Sequence, residues 1–444
     1  MEITVVGAGL AGSECAWQLA LRGHRVRLYE MRPVARTAVH QTDRCAELVC
    51  SNSFRSDNPL NAVGLLKREM EALDSLVIRC ARAAAVPAGD ALAMDRNEFA
   101  RGVTDALASR PEIEILREEV RQIPGSGHVV FATGPLTSEA LDAAIGELLG
   151  TEDLYFYDSV APIVAAHSLD YSKMYRLSRY GKGSGEDYWN CPMTRAEYED
   201  FIAELLAGET VPVHDFEKGI YFEGCLPIEV MAERGPETLR HGPMKPMGLA
   251  DPRTGKNPYA VVQLRRDDLA EEHYNLVGFQ TKLKIPEQQR IFRKVAGLEN
   301  AVFVRYGMLH RNTYIHAPAH LDRFWRMRRE PRIFFAGQIT GVEGYVESAA
   351  TGLAVGITLA QIAEGREPEP LPYETAIGSL ARHCSERPVD QPFEPMNVTF
   401  GLMEDTSHSP IRDRNLRRRG MVDRALAAIG EWKERVAAAP ALSS

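Results

Sequence analysis

Two cysteines stand in the segments of the chain that are best suited to covalent chemistry. Cys50 lies in LVCSNSFRSDN, where the serine and asparagine side chains after it are suited to cap a helix. A helix N-terminus favours the thiolate form of a cysteine, and the thiolate is the nucleophile. Cys225 lies in YFEGCLPIE, where Gly224 and Pro227 indicate a tight turn that would leave the thiol accessible. An inert, buried cysteine is the alternative for each of them.

A glycine fingerprint at the N-terminus predicts a dinucleotide site. It follows a strand, Glu2–Val6, opens a helix over Glu14–Leu21, and precedes a second strand, His24–Tyr29. Glu30 ends that strand at the spacing expected of an acid that binds ribose hydroxyls. The glycines serve the tight turn, the approach of backbone to pyrophosphate, and the packing of helix on strand. The fingerprint residues are Gly7, Ala8, Gly9, Leu10, Ala11 and Gly12.

Two later segments favour FAD over NAD as that dinucleotide. A strand, His128–Ala132, runs into Thr133-Gly134, a turn typical of flavoproteins with two dinucleotide sites. A late strand, Arg332–Ala336, runs into the glycine-rich segment GQITGVEGYVESAATG. We expect its glycines to admit a planar ligand close to the backbone. The further cofactor-binding candidates are Thr133, Gly134, Gly337, Gln338, Gly344 and Tyr345.

The elements that position these residues indicate an α/β fold with an insertion. Residues 155–320 are dense in turn residues and carry short apolar runs, which predicts a mixed α/β domain with an antiparallel sheet. The chain around it forms a discontinuous, Rossmann-like FAD-binding domain, residues 1–154 and 321–444, with a C-terminal helix over Met421–Ala438. A long helical pattern, Leu60–Ala85, belongs to the first part.

Composition narrows the class of protein. The 444 residues carry a net charge of −9, with 45% hydrophobic residues. No apolar run reaches the roughly 18 residues of a membrane span, and no signal peptide is recognisable, so a cytoplasmic protein is expected. The seven cysteines form no CxxC pair and are odd in number, which argues against disulfides and a zinc site. No metal is expected.

Basic clusters in this acidic chain make a phosphate-binding surface plausible. RFWRMRREPR and RDRNLRRR each hold five arginines, and solvated helix faces are the alternative. Trp325 is a candidate for stacking on RNA bases. The candidates for contact with nucleic acid are Arg323, Arg326, Arg328, Arg417 and Arg418. The segment His310, Arg311 and Asn312 is suited to bind a pterin or a phosphate, and a plain turn is equally compatible with it.

Longer blocks of the chain resemble one family closely. They include VVGAGLAGSE, ELVCSNSFRSD, NAVGLLKREM, ATGPLTS, FEGCLPIEVMAERG, GPMKPMGL, YAVVQLR, GLENAVFVRYGMLHRNT and FFAGQITGVEGYVESAATGL, in family order. The chain is similar to the bacterial folate- and flavin-dependent tRNA uracil-5-methyltransferases. A related flavoprotein family that modifies wobble uridines shares the fingerprint and a GQI…GY motif but lacks CSNS and EGCLPIE.

This resemblance implies a specific reaction. Such enzymes carry a methylene from methylenetetrahydrofolate to C5 of the T-loop uridine in tRNA, without S-adenosylmethionine. Reduced FAD serves as methylene carrier and electron source, and NAD(P)H reduces it again. Cys50 and Cys225 match the two active-site thiols of the family. Thiolate addition at C6 makes C5 of uracil nucleophilic, and a second group removes the C5 proton. Which thiol does which stays open; the accessible turn favours Cys225 as nucleophile.

Three other functions are compatible with parts of the chain. A small-molecule flavin oxidoreductase would explain the fingerprint but neither the two thiols nor the arginines. A wobble-uridine enzyme would need a partner GTPase. An RNA-binding protein with a structural FAD would bind tRNA and methylate nothing. The resemblance favours the methyltransferase, with tRNA, methylenetetrahydrofolate and NAD(P)H as partners, and with no membrane and no obligate protein partner.

Overall fold

The computed structural model describes residues 2–37, 39–150, 154–211, 226–391, 393–404 and 413–438. At residues 154–158, 310, 311 and 438 it describes the backbone alone. In chain order the described strands are β1 (Ile3–Val6), β2 (Val26–Tyr29), β3 (Ser53–Ser56), β4 (Ala85–Val86), β5 (Ala91–Met94), β6 (Ile113–Leu116), β7 (His128–Phe131), β8 (Leu154–Ser159), β9 (Ile163–Ala165), β10 (Tyr175–Arg176), β11 (Tyr188–Met193), β12 (Ala260–Arg266), β13 (His273–Leu276), β14 (Phe303–Arg305), β15 (Leu309–Tyr314) and β16 (Ile333–Phe335). The described α-helices are α1 (Leu10–Leu21), α2 (Ala62–Ala72), α3 (Leu76–Ala83), α4 (Arg96–Ala108), α5 (Glu139–Leu149), α6 (Arg195–Ala207), α7 (Ile228–Glu233), α8 (Thr238–His241), α9 (Ile285–Phe292), α10 (Ala317–His320), α11 (Tyr345–Ala363), α12 (Ala376–Glu386) and α13 (Arg414–Ala438).

A parallel sheet of five strands forms the first domain, in the order β16-β7-β1-β2-β6. β1 lies at its centre, and all four of its residues are buried, as expected for a strand covered on both faces. β16 pairs in parallel with β7, although some 200 residues separate them along the chain. The sheet is therefore completed by a distant part of the sequence, which confirms the discontinuous Rossmann-like domain.

Two glycines bring α11 against α1, which follows β1. A Cβ atom on Gly352 would lie 2.1 Å from the carbonyl oxygen of Ala11, and one on Gly356 would lie 2.8 Å from that of Cys15. Only residues without a side chain allow this backbone approach. α11 is long and apolar enough to cross a membrane, but 83% of the apolar window is buried inside the protein. It is a core helix of the sheet domain.

The single helix predicted over Leu60–Ala85 is wrong, because the structure divides it into α2 and α3. Asp74 has a positive φ of 60° at the break. Ser75 caps α3 by accepting the N–H of Ile78. The buried Glu14 carboxylate on α1 accepts the N–H of Val77, at 2.9 Å. Capping from a distant helix therefore ends the periodic pattern, and the sequence around the break does not show it.

An antiparallel sheet of six strands forms the insertion, in the order β10-β11-β12-β13-β9-β14. It has its own hydrophobic core, to which α6, α7 and α9 contribute Phe201, Ile228 and Phe292. α6 begins with a capping box between Thr194 and Glu197. The predicted mixed α/β insertion with an antiparallel sheet is confirmed.

A two-stranded ribbon joins the two domains. β8 carries the chain into the insertion and β15 carries it out, and the two strands pair antiparallel from Leu154 opposite Tyr314 to Ser159 opposite Leu309. Tyr314 and Ala317 already pack in the core of the first domain. The domain boundaries at residues 155 and 320 stay a prediction.

Candidate active site

A cleft opens at the carboxyl ends of the parallel strands. Its walls come from the turn after β1, the end of β2, the segment after β7 and the start of α11. The predicted cofactor residues that line it are Gly7, Gly9, Leu10, Ala11, Glu30, Thr133, Gly134, Gly337, Gln338 and Tyr345. Ala8, Gly12 and Gly344 stand outside this lining.

The fingerprint glycines have different tasks. Gly7 has a φ of +100°, and a Cβ atom there would lie 2.5 Å from the carbonyl oxygen of Ala132. A Cβ atom on Gly12 would lie 1.8 Å from the carbonyl oxygen of Gly7. At Gly9 no protein atom lies within 4 Å of the Cβ position. The fold itself requires Gly7 and Gly12, whereas the space at Gly9 is open to a ligand.

The N-terminus of α1 is suited to a pyrophosphate. No side chain caps it, because its N-cap residue is Gly9. Its first N–H groups and the positive end of the helix dipole are therefore available to an anion in the cleft.

Glu30 is fixed by its neighbours at the end of β2. Its carboxylate accepts the backbone N–H of Ala8 at 3.2 Å and the Nε–H of Arg32 at 2.8 Å. Burial favours the neutral form, but the hydrogen bonds and charge of Arg32 outweigh it and hold the pKa of Glu30 below its ordinary value. Arg32 also pairs with Glu47, at 3.1 Å. The sequence did not indicate Arg32 and Glu47, because their pairing with the Glu30 region depends on how the segment after β2 folds back.

The glycine-rich segment at the start of α11 is explained mainly by the protein itself. A Cβ atom on Gly341 would lie 2.3 Å from the ring of Phe393. Gly344 has a φ of +107°, and its Cβ atom would lie 2.4 Å from the carboxylate of Glu347. Packing within the protein therefore explains why Gly341, Gly344 and Gly352 lack a side chain, and Gly337 is the glycine of this segment that lines the cleft. The approach of a planar ligand to this segment stays a prediction.

Asn312 on β15 has the properties of a ligand-binding side chain. It is fully buried, and neither its amide nitrogen nor its amide oxygen has a partner among the described residues. The N–H of the next residue, Thr313, donates to the carbonyl oxygen of Pro135 in the cleft wall, at 3.1 Å. A buried, unpaired amide is costly unless a bound group satisfies it. The cleft therefore fits a resident dinucleotide, and the Asn312 amide fits a further bound group beside it. The side chains of His310 and Arg311 lie outside the described part.

Cys50 lies between this cleft and the ribbon. Its backbone N–H donates to the hydroxyl oxygen of Tyr345 at 2.7 Å. Its Sγ lies 3.7 Å from the carbonyl oxygen of Ser159, the last residue of β8. Burial and the adjacent Cys50 raise the pKa of Tyr345, so its phenol stays protonated. The thiol is half-buried.

The local structure at Cys50 differs from the prediction. The residues after it form β3, and the next helix begins only at Ala62. The interpretation that the CSNS residues cap a helix is therefore wrong, because the Asn52 amide donates instead to the carbonyl oxygens of Met94 and Arg266, at 3.0 and 2.9 Å. Cys225 lies outside the described residues, and its role stays a prediction.

The arginine cluster 323–332 is partly used by the fold. Arg326 pairs with Asp322 at 2.8 Å, and the Arg323 guanidinium stacks over the ring of Tyr373. Arg328 is exposed. Trp325 is 1% exposed, so its assignment to RNA stacking is wrong. Hydrophobic packing decides the place of this side chain despite its charged neighbours.

The second arginine cluster begins α13. Arg417 is exposed, and Arg418 lies over the ring of Phe400, 5.2 Å from its centroid. Arg418 also donates to the carbonyl oxygen of Leu60, at 3.3 Å. Leu60 lies between β3 and α2, so the start of α13 contacts the FAD-binding domain there. α13 starts at Arg414, earlier than the predicted Met421.

Comparisons with known proteins agree with this site. A family model described as glucose inhibited division protein A matches residues 2–367. A methylenetetrahydrofolate–tRNA-(uracil-5-)-methyltransferase TrmFO from Symbiobacterium thermophilum is 54% identical over 443 residues, covering 99% of each chain. A protein of the same name from Bacillus licheniformis is 54% identical over 427 residues, covering 96% of this chain and 98% of the relative.

Among solved structures, GidA from Aquifex aeolicus superposes with a TM-score of 0.73 at 17% identity, covering 98% of this chain and 73% of that one. A second crystal form gives 0.72 at 18% identity, covering 98% and 76%. These likenesses show the fold. The curated relatives are far closer in sequence and cover the whole length. The chain therefore belongs to the family of methylenetetrahydrofolate–tRNA-(uracil-5-)-methyltransferases and matches the model of the glucose inhibited division protein A family.

Proposed function

We infer that this chain is a folate- and FAD-dependent tRNA (uracil-5-)-methyltransferase that forms 5-methyluridine in the T loop. The single structural observation that supports it best is the placement of Cys50 against Tyr345, which lines the dinucleotide cleft. A thiol in that place meets both a cofactor and a substrate base that enters beside it. Relatives at 54% identity over nearly the whole chain are named for this activity.

FAD is the resident cofactor. The open space at Gly9, the uncapped start of α1 and the Glu30 carboxylate suit its pyrophosphate and ribose. Thr133, Gly337 and Gln338 line the opposite wall. When bound in its reduced form, FAD carries the one-carbon unit and supplies electrons, and NAD(P)H restores that form. The chain's residues bind this group, orient it and exclude water from it.

The two cysteines have different roles in the reaction of the uracil ring. Addition of a thiolate at C6 turns the ring into an enolate whose C5 would attack the one-carbon unit. Loss of the C5 proton, delivery of a hydride from the reduced cofactor to the methylene carbon and departure of the thiolate from C6 would then give 5-methyluracil. We assign the addition to Cys225 and the proton transfer to Cys50. The half-buried thiol of Cys50 and the protonated phenol of Tyr345 are compatible with that assignment.

The remaining partners occupy the rim of the same cleft. His310, Arg311 and Asn312 bind methylenetetrahydrofolate, and β15 brings them beside the segment after β7. Arg417 and Arg418 contact the tRNA backbone, with Arg323, Arg326 and Arg328 as a second group. We place the protein in the cytoplasm, where its tRNA and folate substrates are found.

One assay tests the function. The FAD-bound protein is mixed with an unmodified tRNA transcript, NADPH and methylenetetrahydrofolate labelled in its methylene group. We expect the label in 5-methyluridine. A protein that binds tRNA and reduces its flavin, yet leaves no label in the RNA, would contradict the proposal. A Cys225→Ala protein that still forms a covalent adduct with 5-fluorouridine RNA would reverse the roles of the two cysteines.

A further inference from the structure

One arginine of the insertion domain forms hydrogen bonds with the segment that carries Cys50. Arg265 of β12 donates from Nη2 to the Ser51 hydroxyl at 2.8 Å and from Nε to the Asn52 amide oxygen at 2.9 Å. The Asn52 side chain is fully buried, and its amide nitrogen holds the carbonyl oxygen of Met94. A planar guanidinium with two fixed donors thus defines the position of the two residues after the thiol.

A second arginine holds the same segment from the FAD-binding domain. Arg96, the first residue of α4, donates from Nη1 to the carbonyl oxygen of Leu48 at 2.6 Å and from Nη2 to that of Cys50 at 3.1 Å. Its charge is balanced by Asp267, 2.9 Å away. Because Asp267 follows β12, this ion pair also crosses between the domains. The Cys50 backbone is therefore fixed by groups from both domains.

The charges of the two arginines are compensated differently. Arg265 is 7% exposed, and it forms no ion pair with any residue in the described ranges. Burial lowers the pKa of Arg265. Charged side chains are rarely buried so deeply without a counter-charge. Its guanidinium donates to the oxygens of Ser51 and Asn52 and also contacts the Tyr188 phenol. Asp267 and Arg96 act on its charge from a greater distance, and Cys50 lies within reach of the same charge.

We propose that Arg265 is a positioning residue for Cys50, acting across the domain boundary. It fixes the segment that carries the thiol and places a positive charge beside it. Other charged or titratable groups of the described chain face Cys50 from their own elements: Arg96 from α4, Arg305 from β14 and Tyr345 from α11. Unlike Arg96, Arg265 forms no ion pair with a carboxylate among the described residues, although Asp267 attracts its charge from a greater distance. The proposal rests on the proposed use of Cys50 in the reaction.

Arg265→Gln and Arg265→Lys proteins, purified with FAD, test it. Two quantities are measured: the rate at which iodoacetamide alkylates Cys50, followed by peptide mass spectrometry, and kcat and KM of methylation with tRNA. For Arg265→Gln we expect slower alkylation and a kcat lower by on the order of 100-fold, the effect of misplacing a reacting group by about 1 Å. KM for tRNA should stay near the wild-type value. Arg265→Lys keeps the positive charge but lacks the two fixed N–H donors of the guanidinium. Its alkylation rate and its kcat should therefore lie between those of Arg265→Gln and wild type.

Arg266→Gln is the matched control. Arg266 is the next residue on the same strand, but its guanidinium pairs with Glu271 instead of the Cys50 segment. Alkylation and kcat should stay at the wild-type values. Flavin absorbance and the midpoint of thermal unfolding verify that each variant is folded. If Arg265→Gln fails to retain FAD, Ser51→Ala removes one of the two contacts with a smaller change and should slow both rates in the same direction.

Three results would overturn the inference. Wild-type alkylation together with wild-type kcat in Arg265→Gln would show that the contacts have no functional effect. Unchanged alkylation with a raised KM for tRNA would assign Arg265 to an anion of the substrate instead. Additive effects of Arg265→Gln and Asn52→Ala would show that the two residues do not act as one unit. Failure of the proposed function is distinguishable, because alkylation reports on Cys50 without any methyl transfer.

Discussion

The backbone N–H of Cys50 and the hydroxyl oxygen of Tyr345 are joined by a hydrogen bond of 2.7 Å. Tyr345 is the first residue of α11, and its side chain lines the dinucleotide cleft. One phenol therefore connects the cofactor wall to the segment that carries the thiol. Since the phenol stays protonated, its O–H keeps its capacity to donate while its oxygen accepts from Cys50.

Tyr345→Phe should slow methyl transfer and leave FAD bound. The ring that lines the cleft is kept, but the Cys50 N–H loses its acceptor, at a cost of about 1–3 kcal/mol for a buried donor. We expect the methylation rate to fall by on the order of 10-fold. Labelled 5-methyluridine and the flavin absorbance of the purified protein measure the two effects. Equal loss of FAD and activity in Tyr345→Phe would mean that the hydroxyl acts through cofactor binding and not through the Cys50 segment.

Gly9→Ala should impair the binding of FAD, whereas Gly12→Ala should impair the stability of the fold. A Cβ atom at position 9 would meet no protein atom within 4 Å, and Gly9 has an ordinary φ of −72°, so this variant should fold normally. It should bind FAD poorly, because the new methyl group occupies the space reserved for pyrophosphate. A Cβ atom at position 12 would lie 1.8 Å from the Gly7 carbonyl oxygen, so that variant should itself unfold at a lower temperature. Thermal unfolding of the FAD-free proteins separates the two cases.

Glu30→Ala should weaken FAD binding. Its carboxylate, held by the Ala8 N–H and Arg32, is the group proposed to accept the ribose hydroxyls. A hydrogen bond to a charged group contributes about 1.5–3 kcal/mol, so the Kd for FAD should rise by on the order of 10- to 100-fold. Titration of the apoprotein with FAD, followed by flavin fluorescence, measures it. Glu112→Ala, on the far edge of the sheet domain, is the control, and a matching loss there would contradict the assignment.

Lys67 should make the stability depend on pH. It is fully buried, donates to the carbonyl oxygens of Phe54 and Ser56, and burial lowers the pKa of Lys67 to about 7. Between that value and about 10.4, its ordinary pKa, the unfolded chain binds the proton that the folded chain lacks. The free energy of unfolding should therefore rise with pH in this window, by up to about 1.4 kcal/mol per unit.

Urea unfolding of wild type and Lys67→Met at pH 7, 8 and 9 measures this effect. The advantage of wild type over the variant should grow as the pH rises. Lys433→Met, at an exposed lysine of α13, controls for the loss of a lysine in general. A constant difference between wild type and Lys67→Met across the range would contradict the prediction.

Arg417→Glu should weaken tRNA binding without affecting FAD. An exposed arginine that contacts a phosphate contributes through release of counterions, so its loss should lower the slope of log K against log salt by about 1. Filter binding of a tRNA transcript at several salt concentrations measures the slope. Arg435→Glu is the control on the same helix, because Arg435 pairs with Glu369 at the opposite end. An unchanged slope for Arg417→Glu would contradict the assignment of this part of α13 to the tRNA-binding surface.

The sequence predicts the parallel sheet well because buried strands are continuous apolar runs beside unmistakable turns. β1, β2 and β16 lie within a residue or two of their expected bounds. The antiparallel insertion was also foreseeable, since dense turns separate its short strands. The break between α2 and α3 was not, because the helix pattern continues across Asp74 and the capping carboxylate of Glu14 comes from another helix.

At the site, the local sequence indicates which residue types are present. It does not indicate which of them already form an ion pair or a hydrogen bond with another part of the chain. Arg326 and Arg328 look alike in the sequence, yet one pairs with Asp322 and the other donates to the carbonyl oxygen of Ser385. Arg265 lies in the apolar run YAVVQLR, and only the packing of two domains brings it to Ser51 and Asn52. Charge pairing and contacts across a domain boundary are tertiary properties, so periodicity and spacing do not contain them.

The ribbon of β8 and β15 has a consequence for the history of such a chain. It places the two ends of the insertion side by side, at Leu154 and Tyr314. The insertion is therefore attached to the sheet domain in the same way as a short hairpin would be. Each doubling of the length of the inserted segment adds only about 0.6 kcal/mol to the chain-entropy cost of closing it. A domain attached in this way can be enlarged or exchanged during evolution without altering the strand order of the sheet that holds the cofactor.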